Sequence, residues 1–249
     1  MRIDFSKVRS YLSCPALYEW VYVKGLRIPP PGAMVAGREI HRTAEKGLRL
    51  KKAEKVNPPV EFFRDTFSTF WEEAIKAEEI NWRDDNPGEM KDTGISMISL
   101  YGETQIPKIE PLEIEFPFEL SFTEYQHTLY GRIDIVDVRD FPIDLKTSTR
   151  TPNEDAIAKD GQATCYLLAW TSLGHDPKKF RFDYLIRTKK PKLIEMETTR
   201  TEAEFNQFLR DMDMVIRGIQ AGVFPRNPNN VFCNSKWCGF YQKCFGSKK

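Results

Sequence analysis

Three charged residues in one stretch of this sequence are spaced to share a face. They are Asp134, Asp144 and Lys146, in the run from Gly131-Arg-Ile-Asp134 to Asp144-Leu-Lys146. If the segment is a hairpin turning near Arg139, Asp134 and Asp144 are equidistant from the turn and lie opposite one another, with Cβ atoms about 5 Å apart. Lys146, two residues past Asp144, projects from the same face. Ile133, Ile135, Ile143 and Leu145 then point to the other face and can be buried. Two carboxylates that close repel unless a cation lies between them, and hard oxygen ligands suit Mg²⁺ or Mn²⁺. An ammonium beside them can orient a water and offset charge on a phosphoryl oxygen. The chemistry implied is hydrolysis of a phosphodiester by a metal-activated water. An isolated Asp-x-Lys is more often an ion pair on a solvated strand face; the hairpin register argues against that reading.

Other residues have weaker signals. Gln162 and Tyr166 form an i, i+4 pair, share one helix face, and can reach a phosphate or position the lysine. Cys165 beside them reads as a core thiol. Gly37 lies one turn before His41, which permits close approach of another chain segment; a neutral imidazole can ligate a metal, although a lone histidine is more often structural. Arg38, Arg42, Lys46 and Arg49 recur at helical intervals and continue to Lys51 and Lys52. That stripe either tracks a DNA backbone or is a solvated helix face balanced by Glu39 and Glu45.

The elements that must position these groups follow from periodicity. A helix is expected over 6–23, with Ser6 as N-cap and an interruption at Cys14-Pro15. Further helices are expected over 35–55, 60–81 and 87–105, the second with Phe62, Phe63, Phe67, Phe70, Trp71 and Ile75 at helical spacing. From about Glu110 the pattern changes to three strands, a helix over 154–173, a strand pair, a helix over 201–221 and a tail of little periodicity. The order describes an α/β core with a helical N-terminal portion.

The chain has 249 residues, 41% hydrophobic and 29% charged, which suits one sizeable domain. No apolar run is long enough to cross a bilayer, so no membrane association is expected. The opening residues, MRIDFSKVRSYLSCP, lack the apolar stretch of a secretory signal, and the expected setting is a reducing cytoplasm. A formal charge of +1 gives no global excess for nucleic acid, so a DNA surface would have to be a local patch. The five cysteines are Cys14, Cys165, Cys233, Cys238 and Cys244; the odd count argues against a disulfide framework. Four thiolates can hold a tetrahedral zinc or a 4Fe-4S cluster, and the paired C-x2-C knuckles usual for zinc are missing.

Taken together, Gly37-x-x-x-His41, Gly131-Arg-Ile-Asp134, Asp144-Leu-Lys146 and Gln162-x-x-x-Tyr166 resemble the RecB-like branch of the PD-(D/E)xK nuclease superfamily. The resemblance implies a restriction-endonuclease-like fold: a mixed central sheet flanked by helices, with a helical N-terminal portion and an iron–sulfur C-terminal tail. It implies that His41, Asp134, Asp144 and the backbone carbonyl of Leu145 hold the divalent metal, that Lys146 is catalytic, and that Gln162 and Tyr166 support the site. Glu115 matches an acid often found on the preceding strand. One cysteine near the N-terminus with three in the tail resembles the iron-staple nucleases, which include AddB-like, CRISPR-associated RecB-like and phage exonucleases. The implied cluster is 4Fe-4S, on Cys14, Cys233, Cys238 and Cys244, with zinc as the alternative. Trp237, Phe240, Tyr241 and Phe245 are expected to shield it.

The expectation is a single nuclease domain over 1–249: helical over 33–108, catalytic over 109–200, with 1–24 and 225–249 joined at the cluster. The function implied is a metal-dependent exonuclease acting on single-stranded DNA or DNA ends, with a helicase, recombinase or CRISPR adaptation protein as partner. The alternative is a non-catalytic or partner-dependent DNA-binding iron–sulfur module in a recombination or CRISPR adaptation complex.

Overall fold

The computed structural model describes residues 1–122 and 126–246; residues 247–249 of the expected tail lie outside them. Two compact units form. The smaller comprises 1–28, 118–131 and 201–249, and the larger comprises 29–117 and 132–200.

In the larger unit, three helices precede the strands: α3 (Gly32–Glu54), α4 (Val60–Ala77) and α5 (Pro87–Thr104). Phe63, Phe67 and Trp71, four residues apart on α4, are all buried, as the spacing requires. Gly47 of α3 and Gly102 of α5 press on the Phe63 ring from both sides; a Cβ at either would fall 2.3 or 2.5 Å from it. Such close approach explains both glycines in helix interiors, where they otherwise lower stability.

The strands are β2 (Pro111–Phe122), β3 (His127–Asp137), β4 (Phe141–Ser148), β5 (Phe180–Ile186) and β6 (Lys192–Thr198). β2 pairs with β3. β3 and β4 are antiparallel, β4 and β5 parallel, β5 and β6 antiparallel, a mixed sheet. The parallel pair needs a crossover, supplied by α6 (Glu154–Ala158) and α7 (Gly161–Ser172). The expected single helix over 154–173 is divided because Asp160 caps α7, accepting from the backbone N–H groups of Gln162 and Ala163. β4 is buried through its first five residues, as befits a strand covered on both faces.

In the smaller unit, β1 (Arg2–Asp4) runs parallel to the first residues of β3. It was not expected: three residues are too few for a periodic signal. α1 (Phe5–Ser13) follows directly, capped by Asp4, whose Oδ1 accepts from the Lys7 N–H at 2.9 Å, and not by Ser6. Cys14 ends α1, and Pro15 opens α2 (Pro15–Tyr18), which widens into a π-type turn over Glu19–Val23. α8 (Glu202–Gln220) begins with a capping box between Thr201 and Glu204. The tail carries one short helix, α9 (Tyr241–Phe245). Side chains bind the two ends of this unit: the Asn227 and Asn230 amides donate to the Ser13 carbonyl at 2.9 and 3.0 Å, and the Tyr11 hydroxyl donates to the Val223 carbonyl.

Candidate active site

The β3–β4 ladder pairs Ile135 with Ile143, Val136 with Pro142 and Asp137 with Phe141. Continued by one residue, this register sets Asp134 against Asp144. The turn is built around Asp137, whose carboxylate accepts from the Arg139 backbone and guanidinium. Ile133, Ile135, Ile143 and Leu145 are buried on the opposite face.

Around Asp144 the polar atoms interlock. Lys146 Nζ lies 2.6 Å from Asp144 Oδ2 and donates to Gln162 Oε1 at 2.7 Å. Gln162 Nε2 donates to Asp144 Oδ1 at 2.8 Å and to the Tyr166 hydroxyl at 3.0 Å. One amide thus engages the acid, the lysine and the tyrosine, using its acceptor and both of its donors. The α7 cap at Asp160 fixes where Gln162 falls, and helical spacing stacks Tyr166 on the same face.

Asp144 is fully buried, and its pKa is pushed from the ordinary carboxylate range to about 7. Burial is the largest cause and the Asp134 charge the next, opposed by Lys146 and His41. Its Oδ2 has the ammonium nearby but no aligned hydrogen-bond donor. His41 Nδ1 stands 3.5 Å from Asp134 Oδ2. Burial pulls the imidazole pKa down, but the Asp134 hydrogen bond and the charges of Asp134 and Asp144 leave it raised. Burial and the Asp134 and Asp144 charges also hold the Tyr166 phenol protonated, well above its usual range. Gly37 performs the close approach its spacing suggests: a Cβ there would fall 2.8 Å from Thr147 Oγ1, so α3 lies tight against the end of β4.

Two acids join this site that the sequence left aside or undecided. A small cavity is lined by His41, Glu45, Glu115, Asp134 and the buried Leu145, among others. Glu45 is one turn beyond His41, a spacing that could have marked it. Glu115 has φ of 54° within β2, a left-handed conformation uncommon for such a residue. Burial, then the charges of Asp134 and Glu45, raise its pKa, and Arg132 pairs with it at 3.3 Å. Among the described residues no three His, Cys, Asp or Glu side chains are already arranged to grip a metal ion. By chemistry, the residues nonetheless fit a hard divalent cation: carboxylates that repel one another, a buried oxygen without an aligned donor, and an imidazole beside them.

The basic stripe is not a bare cationic face. Arg38 pairs with Glu39 and Glu78, Arg42 with Glu73 and Glu39, and Arg49 with Glu45. Lys46 lies over the Phe62 and Phe70 rings. Lys51 is buried, donating to the carbonyls of Ile106 and Pro107, and Lys52 donates to that of Leu112.

In the smaller unit, Cys14, Cys233, Cys238 and Cys244 line one small cavity with Trp20, Phe240, Tyr241 and Phe245 among its walls. All four are free thiols. Burial and the neighbouring cysteines raise the Cys233 and Cys238 thiol pKa values. Trp20 stacks on Phe240 and takes the shielding place expected of Trp237, which instead is half exposed and packs edge-on against Phe232. Cys165 is buried in α7, away from this group in the chain.

None of the curated proteins matches this sequence. Among solved structures, one from Eubacterium rectale described as "Putative exonuclease" superposes with a TM-score of 0.65 at 11% identity, covering 100% of this chain and 90% of that one. Another, SSO0001, covers 98% and 95% at 16% identity, but its TM-score of 0.37 is too low to bear on the fold. Residues 2–245, spanning both units, match the PD-(D/E)XK nuclease superfamily, and the chain belongs to that family.

Proposed function

We propose that this nuclease is a divalent-metal-dependent deoxyribonuclease that removes nucleotides from single-stranded DNA or DNA ends. The observation that supports it best is that Gln162 hydrogen-bonds Asp144, Lys146 and Tyr166 at once while Lys146 is paired with Asp144. An ordinary surface ion pair has no reason to include a buried carboxylate that a neighbouring amide also holds.

His41, Asp134, Asp144 and the Leu145 carbonyl are the proposed holders of Mg²⁺ or Mn²⁺, with Glu115 and Glu45 beside them. Such a cation supplies water activation and charge neutralisation at a phosphoryl oxygen. The chain's own residues do the rest. Gln162 aims the Lys146 ammonium, which donates to a phosphoryl oxygen as negative charge grows there. Tyr166, kept protonated, braces Gln162. Arg38, Arg42, Lys46 and Arg49 are proposed to follow the DNA backbone; the pairs with the exposed or half-exposed Glu45, Glu73 and Glu78 contribute little, so phosphates can replace those partners, while the buried Glu39 keeps Arg38 and Arg42 in place.

Cys14, Cys233, Cys238 and Cys244 are proposed to carry a 4Fe-4S cluster, with zinc as the alternative. Supporting this are the shared cavity of four free thiols and its aromatic walls. The role would be to join the ends of the chain. The E. rectale structure's description agrees with an exonuclease, though at this identity the likeness bears on the fold alone. A helicase, recombinase or CRISPR adaptation protein is the proposed partner, and the cytoplasm the proposed setting.

The test is cleavage of end-labelled single- and double-stranded DNA with Mg²⁺ or Mn²⁺, comparing the unaltered protein with Asp144→Ala. Stepwise shortening by the unaltered protein alone is expected. Cutting by both proteins at the same rate would sink the site assignment. Internal cuts without stepwise loss would replace the exonuclease with an endonuclease.

A further inference from the structure

A cleft of about 290 Å³ in the larger unit is lined by Ala33, Ala36, Gly37, Ile40, Met97, Thr147, Ser148, Thr149 and Arg187. On β4 it begins one residue beyond Lys146, on the opposite face of the strand, and on α3 its Gly37 and Ile40 precede His41 by about a turn or less, so it adjoins the proposed metal site without sharing its polar groups. We propose that this cleft seats one unpaired nucleotide of the DNA strand, neighbouring the phosphate that reacts. This inference rests on the nuclease reading and names where its substrate strand lies.

Size comes first. Small-molecule sites run from about 300 Å³ upward, so the cleft matches one nucleotide-sized group. Its floor is apolar: the exposed Ala33 lies over the buried Ala36, Ile40 and Met97, and together they give an uncharged wall for a sugar and a base edge. The rim is polar on one side only. Arg187 stands 4.0 Å from Asp85, the outer limit of an ion pair, which leaves its guanidinium weakly engaged and suited to a phosphate. Thr147 and Thr149 also line the cleft, the Thr147 hydroxyl lying against Gly37 of α3. The Ser148 hydroxyl acts within the chain instead. It donates to the Arg150 carbonyl and accepts from the Arg150 N–H, fixing the turn that carries Thr149.

Position supports the same occupant. A strand rises about 3.3 Å per residue, so Thr147 to Thr149 lead away from Lys146 over roughly the span of an adjacent nucleotide. The first turn of α3, with Ala33, borders the cleft and has no side-chain cap; helix N-termini favour anions. Gly37 matters again, because its missing side chain lets Thr147 lie against α3, and this contact shapes the cleft wall.

The experiment is fluorescence-anisotropy binding of a fluorescein-labelled single-stranded oligonucleotide with chelator present, so that no strand is cut. Arg187→Ala should weaken binding about tenfold and lower the slope of log affinity against log salt by about one. Arg187→Lys should recover part of the loss, since it restores the positive charge without the bidentate fork, and the Arg187 backbone N–H to the Ser148 carbonyl is kept in both variants. Ala33→Trp, at an exposed position, should block the cleft and weaken binding by a similar factor. An abasic residue beside the reacting phosphate should erase most of the difference between Ala33→Trp and the unaltered protein. Equal affinity of all four proteins overturns the cleft assignment even where DNA is cut normally. If the unaltered protein neither binds nor cuts DNA, the nuclease reading falls and this inference falls with it.

Discussion

The two polar clusters of this protein are held in opposite ways. Around Asp144, every group comes from a regular element: the acids from a β-ladder in fixed register, Gln162 and Tyr166 from one face of α7, His41 from α3. Their hydrogen bonds close on one another with only protein atoms present. Around the four cysteines, the chain is mostly turns, and what fixes it is a few side-chain bonds, Asn227 and Asn230 to Ser13 and Arg226 to the Cys244 carbonyl. Val231 and Phe232 are left largely exposed. A site built on ladders is preorganised by the fold; a site built on irregular chain, if it takes the proposed cluster, depends on it for order. Catalytic changes should therefore be silent in stability, and cysteine changes loud.

The largest effect expected is at Lys146. Lys146→Ala should lower kcat by about a hundred- to a thousandfold, as for a lost oxyanion-type donor of about 3–4 kcal/mol. The melting temperature should stay within a few degrees, because the ladder and Gln162–Tyr166 remain. Cleavage assays beside circular dichroism check both halves. A variant that cuts normally, or one that unfolds, breaks the contrast.

Next in size is Cys238→Ala. On the proposed cluster it should lose iron and expose residues 225–246 to protease, while the larger unit keeps its protection. Limited proteolysis read by mass spectrometry, with iron analysis, distinguishes the regions. An unchanged digestion pattern at unchanged iron content would show that the tail is held by its asparagines alone.

How much of this was legible in the sequence follows the same division. The hairpin could be read because alternation and a single turn fix a register, and the Gln–Tyr pair because helical spacing is rigid. Glu115 could be placed on its strand but not at its left-handed φ of 54°, since nothing local in EPLEIEFPFELSF demands that conformation. The stripe Arg38, Arg42 and Arg49 was visible, but two of its partners, Glu73 and Glu78, come from α4 and its end; packing between helices is not written in the periodicity of either. Lys51 was read with the stripe, yet it is buried against the carbonyls after α5. β1 pairs with residues some 126 positions away, and three residues give no pattern that could announce it. The tail's cysteine spacing suggested a common ligand, whereas Trp20 as their aromatic neighbour came from a turn that reads as ordinary helix.

The smallest expected effect concerns protons at the ordered site. Asp144 titrates near pH 7 in the folded protein against about 3.8 unfolded, so folding favours its protonated form. The sign is then fixed: this contribution is complete below about pH 4 and is lost as pH rises through 7. His41, raised as well, acts in the same direction, its contribution lost as pH climbs above its own pKa. Asp4 and Asp137 are held low by their partners; their contribution is lost only as the medium becomes strongly acidic, so it does not overlap. Metal-free protein should therefore melt several degrees lower at pH 8 than at pH 5, at most about 1.4 kcal/mol per pH unit for each titrating group. Asp144→Asn should flatten the slope, since it leaves an uncharged group where the fold prefers one. Added Mn²⁺ should reverse the trend, as ligand deprotonation strengthens binding at higher pH. Calorimetric melts at pH 5 and 8, with chelator or Mn²⁺, would decide it. A metal-free slope of the other sign, or one that Asp144→Asn leaves untouched, means that the buried carboxyl is not where the strain of this site resides.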